Sequence, residues 1–118
     1  MDINGNGNEN MNSINQQKNM IAKLEKRALY RSMTEAKNII ENIGISTAKI
    51  TPNGYGLKDF NIKIPFLKIS KSTLLKILTH ECRTFYVFEI RDSDSDSGIV
   101  VECMVNPIHY HVDKRVIK

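Results

Sequence analysis

Leu29, Met33, Ala36, Ile40 and Ile43 recur at steps of four, three, four and three. No strand can use that spacing, because successive strand residues alternate between two faces. It places all five on one side of a helix, and a helix apolar on one side must bury that side against something. "ENIG" gives the helix its stop: Gly44 can take the left-handed conformation that ends a helix, and Ile45 is placed for the accompanying apolar contact. Ser32 and Glu35 have the spacing of a capping box, which would start a new helix there. The apolar stripe runs straight through the box, so a single helix over residues 18–43 is expected.

The rest of the chain reads chiefly as strands. Ile45 to Ile50 is a first strand, and "TPNGYG" turns the chain with a proline, an Asn-Gly pair and a second glycine. In "LKDFNIKIPFLKI", Phe60, Ile62, Ile64 and Phe66 alternate with Asn61, Lys63 and Pro65. Proline cannot donate to a ladder, so this strand lies at an edge, or ends or bulges at Pro65. "SKSTLLKILTHE" is a short helix with a serine cap that buries Leu74, Leu75, Ile77 and Leu78. Thr84–Arg91 is apolar on both faces and reads as a central strand, with Phe85, Tyr86, Val87 and Phe88 in the core. Ile99–Val105 pairs with it, and Ile108, Tyr110 and Val112 suggest a last, half-exposed strand. The expected fold class is α+β: a two-layer sandwich with a mainly antiparallel sheet of about five strands, a long N-terminal helix and a short second one.

Residues 1–17 are dominated by Asn, Gly and Gln. They hold too little apolar surface to offset the entropy of ordering, and are expected to be a disordered leader to a single domain over 18–118. Two cysteines, Cys82 and Cys103, form no disulfide framework and no CxxC motif. With no basic-then-apolar signal at the N-terminus, the expected setting is intracellular, cytoplasmic or nuclear. No run approaches the roughly 18 apolar residues that cross a bilayer, so no membrane partner is expected.

Specific chemistry is largely excluded. "DSDSDSGIVVEC" spaces Asp92, Asp94 and Asp96 like the first ligands of a calcium loop. But Ser97 stands where the turning glycine belongs and Cys103 where the bidentate glutamate belongs. Strand-like flanks make it a hairpin loop. His109 and His111 share a strand face, and His80, Cys82, Cys103 and Asp113 carry ligand atoms, but no metal-ligand spacing gathers them. "HEC" at 80–82 lies at a helix C-terminus, where the dipole disfavours a thiolate. "RTFYVFEI" lacks the glycines that open an RNA-recognition strand to stacked bases. No catalytic residue, metal or cofactor is assigned, and the chain is read as a non-enzyme.

Two surfaces are left. Residues 18–43 carry six cations against three acids, and residues 44–81 six lysines against Asp59 and Glu81. Lys23, Lys26, Arg27 and Arg31, with Lys63 and Lys68, could contact the phosphates of DNA or RNA. Met20, Ile21 and Leu24 extend apolar surface beyond what one short sheet covers, which points to a protein partner or a second copy of the chain. The expected function is therefore protein–protein interaction, with nucleic-acid binding as the alternative.

Overall fold

The computed structural model describes residues 2–54, 56–94 and 98–107, with side chains from residue 14 onward. Over these residues it is an α+β fold with two helices and one antiparallel sheet of four strands. Helix α1 spans Asp2–Asn42, β1 Lys49–Pro52, β2 Asp59–Ile64, α2 Lys71–Glu81, β3 Phe85–Asp92 and β4 Ile99–Val105. The fifth strand expected at residues 108–112 lies outside the described residues.

The sheet order is β1-β2-β4-β3, and every neighbouring pair is antiparallel. β2 and β3 therefore run in the same direction with β4 between them. A two-residue hairpin cannot join strands that run the same way. Helix α2 makes the crossing, starting on the side chain of Ser70, which accepts from the Thr73 amide at 3.1 Å. Hairpins remain at β1–β2 and β3–β4.

One buried cluster joins all the elements but β1, which adds Ile50 at its margin: Leu29, Ala36, Ile39 and Ile40 from α1, Leu74 and Leu78 from α2, and one face of β2, β3 and β4. On β2 that face is Phe60, Ile62 and Ile64, and Phe60 meets Phe85 edge-on with ring centroids 5.3 Å apart. α1 is one continuous helix. Its stop is built as expected, with Gly44 at φ 88°, its amide bonded to Glu41 O and the Ile45 amide reaching back to Ile40 O.

α1 begins inside the segment set apart by composition as a leader. Extending a helix from a packed, already nucleated end fixes one residue per hydrogen bond gained. Among the described residues none before Leu29 belongs to the buried cluster, so the N-terminal part of α1 overhangs the sheet.

Several strand expectations are corrected. Of the alternatives read at Pro65, the ending holds and the edge does not: β2 is internal and stops at Ile64, but this leaves Phe66 71% exposed instead of on the core face. β3 is an edge strand among the described residues, not a central one. Its register with β4 slips between Val87 and Glu89, so Phe88 is an extra residue with no partner and stands 65% exposed. Tyr86 faces away from the cluster and is 45% exposed, which leaves only Phe85 of that aromatic run fully in the core. Leu75 is exposed on the outer side of α2.

Gly98, at the end of the acidic loop, is required by close packing. A Cβ there would lie 2.2 Å from the Ile64 carbonyl oxygen and 2.7 Å from Pro65 Cα. Backbone meets backbone at that point, and only glycine leaves room for it.

Ser32 and Glu35, the capping-box pair, do not cap α1. Fully buried Ser32 donates to the Thr84 carbonyl at 3.0 Å. Glu35 accepts from the Arg83 amide at 3.0 Å and from the Thr84 amide and hydroxyl at 2.9 and 2.7 Å. Asn106, just beyond β4, closes the other side: its amide bonds Thr84 O and its side chain Arg83 O. One carboxylate thus fixes the turn between α2 and β3 to the middle of α1. Burial pushes the Glu35 carboxyl up, but the bonds from Thr84 and Arg83 and the Arg83 charge together outweigh it and hold the group below its ordinary 4.5. A lowered folded value means that the contribution to stability is present above the unfolded value and is lost as pH falls through the folded one. Glu35→Gln is expected to lower stability near pH 7 by about 1–3 kcal/mol, the cost of losing charge-assisted bonds. The deficit relative to wild type should shrink as pH falls below 4.5 and through the lowered value in denaturant titrations. A gap that stays constant to pH 3 would contradict the clamp.

Candidate functional site

The overhang of α1 forms a groove with the end of the sheet. Ile21 and Glu25 look across at Leu57, Tyr86, Met104 and Pro107, enclosing about 400 Å³. Leu57 and Met104 lie where β2 begins and β4 ends, so the groove is the gap between a helix that runs on and strands that stop. Its walls are chiefly apolar, with Glu25, Lys58 and Asn106 as polar members. Of the expected interaction residues, Ile21 lines the groove, Leu24 is half-buried beside it, and Met20 is 60% exposed one turn from Leu24. Leu57, Tyr86 and Met104 were missed as site residues. Their only signal was position, at strand ends that sequence could not bring under the helix.

The basic residues do not form one patch. Lys23, Lys26, Arg27 and Arg31 are all exposed on α1, and the i, i+4, i+8 stripe of Lys23, Arg27 and Arg31 lies on the overhang and its junction with the packed part. Lys63 belongs to the other end of β2, next to Val100 near the start of β4, and Lys68 lies in the following loop. The groove-side end of the sheet is the Asp59–Met104 end, so the helix stripe and the two lysines are separated along the length of β2.

The acidic loop is held as a hairpin: the Ser93 amide bonds Gly98 O at 2.9 Å, and Asp92 pairs with Lys71 at 2.9 Å. Asp96 lies outside the described residues, as do His109, His111 and Asp113. Among the described residues no group of three or more His, Cys, Asp or Glu side chains could hold a metal ion. Nor, among them, is any helix long and apolar enough to cross a membrane.

His80 and Glu81 end α2 in solvent, and Cys82 follows as the C-cap. Burial pushes the Cys82 thiol up, and the charge of Glu35 adds to it. Burial and the Glu35 charge thus act on this thiol in the same direction as the helix dipole. Cys103 lies on the core face of β4, fully buried, and burial with the neighbouring Cys82 pushes it up to about 12. Neither is set for nucleophilic catalysis, which needs a lowered value.

No family model, curated protein or solved structure matches the chain.

The thiols give a direct check on this burial. A neutral-pH thiol reagent should leave Cys103 unmodified in the folded protein, modify Cys82 slowly, and modify both at once in denaturant. Rapid native labelling of Cys103 would show that β4 does not carry it into the core.

Proposed function

We propose that this chain is a small non-enzymatic interaction protein, and that its working surface is the overhang of α1 together with the groove beneath it. The partner is another protein or a second copy of the chain. The observation that carries the reading is the groove, a chiefly apolar opening beside a stretch of α1 on which Met20 stands exposed. A helix that runs beyond its own core exposes apolar residues that a partner can bury, in the manner of a helix-in-groove complex. The reading takes the domain as a two-layer sandwich whose helices share one face of the sheet, and the two free thiols favour an intracellular setting.

A second reading rests on the exposed stripe of Lys23, Arg27 and Arg31. It makes the same overhang a phosphate-binding helix for DNA or RNA, with Lys63 and Lys68 too far along β2 to join it. Salt separates the two readings, since binding to phosphates weakens steeply between about 50 and 200 mM salt and burial of apolar surface does not.

Sedimentation of the full chain over a range of concentrations tests the first reading. Association that persists at high salt and falls at least about tenfold, roughly 1.4 kcal/mol, in Leu24→Glu would support it. For a partner other than a second copy, the same variant should lose a binder selected against the full chain that resists salt. Strictly monomeric protein with no salt-resistant binder, or binding to nucleic acid that collapses with salt and with Arg27→Ala, would overturn it.

A further inference from the structure

The register of β1 and β2 sets two lysines side by side. Lys49 and Lys63 are directly opposite each other on neighbouring antiparallel strands. Ile62 and Ile64, on either side of Lys63, take the core face, so both lysines leave the face turned away from the helices. Like charges directly opposite on a sheet destabilise it. The ion pairs among the described residues, Lys37–Glu41, Lys71–Asp92 and Arg91–Glu102, include neither lysine. None of these ion pairs relieves the pairing of the two lysines.

Beside the pair is a shallow pocket of about 250 Å³, lined by Thr47, Lys49, Lys63, Pro65, Ser93 and Ile99. Among the described residues no carboxylate lines it. The nearest acids in sequence are Asp92, which Lys71 holds, and exposed Asp94. At this size it lies below the roughly 300 Å³ at which pockets for whole drug-sized ligands begin, and suits an anion or a headgroup.

We propose that this pocket binds a tetrahedral oxyanion of the phosphate class, carried by a small molecule. Lys49 and Lys63 supply the charge and the Thr47 hydroxyl a further donor. A bound anion removes the repulsion that the register imposes, so binding and stability are coupled. The rest of the same face argues for a small ligand over a polymer. Asp59, Glu89 and Glu102 share it, and its third cation, Arg91, is paired with Glu102. A nucleic-acid backbone laid across this face would meet carboxylates a strand or two from the pair. The pocket is at the other end of the sheet from the α1 groove and shares no lining residue with it, so its test is independent of the interaction surface.

Inorganic phosphate is the probe, compared with chloride at matched ionic strength, on the full chain. At ten times its Kd, phosphate should raise the melting temperature by roughly 5 °C. Amide shifts on titration should centre on Thr47, Lys49 and Lys63. Lys63→Gln should melt higher than wild type in chloride, because the repulsion is gone, and should lose the response to phosphate. Lys76→Gln, an exposed change on α2, should keep it. Three results would overturn the proposal: equal effects of phosphate and chloride, an undiminished response in Lys63→Gln, or a response to an oligonucleotide but not to phosphate.

Discussion

Glu35 holds three elements at one point. Its carboxylate takes the amides of Arg83 and Thr84 and the Thr84 hydroxyl, while Ser32 one turn earlier takes the Thr84 carbonyl and Asn106 bonds both residues from the far side. The apolar cluster alone would keep α1 against the sheet, but hydrophobic contact is non-directional and sets no register along the helix. These directed bonds do. They fix which turn of α1 meets the start of β3, and so how many turns are left over. The overhang, the groove under it and the placement of Lys23, Arg27 and Arg31 all follow from that register.

With α1 fixed, the molecule has two chemically different faces. The helical face is apolar where it is covered and basic where it runs free. The opposite face of the sheet is mixed in charge, with Lys49, Lys63 and Arg91 toward one end and Asp59, Glu89 and Glu102 over the rest. A long polyanion would meet mixed charge on the second face, and the protein partner proposed above would meet chiefly apolar walls in the groove. The two proposed surfaces thus differ in chemistry and share no lining residue.

Much of the fold could be read from local pattern. The stripe from Leu29 to Ile43, the stop at Gly44, the alternation through Phe60, Ile62 and Ile64, and the hairpin across the acidic loop are each set by a few neighbouring residues, and local periodicity carries them. Sheet order could not be read this way. β4 inserts between β2 and β3, and that turns β3 into an edge although its sequence is apolar on both faces. The bulge at Phe88 had no sequence mark, so the exposed aromatics there were assigned to the core. Ser32 and Glu35 were noticed, but for a local role; their partners are about fifty residues away and belong to a turn. The same limit applies to the sites. The α1 stripe was legible from its spacing, whereas its separation from Lys63 and Lys68, and the meeting of Lys49 with Lys63, depend on pairing between distant segments.

The most direct test of the account is residue-level hydrogen exchange along α1, at about 10 μM and about 1 mM protein. If the clamp divides the helix into a packed part and a working overhang, amides from Leu29 to Asn42 should exchange only through global unfolding at both concentrations. Amides before Leu29 should exchange faster at low concentration, and gain protection at high concentration or when a partner is added. Uniform protection along the whole helix, unchanged by concentration or partner, would contradict the account.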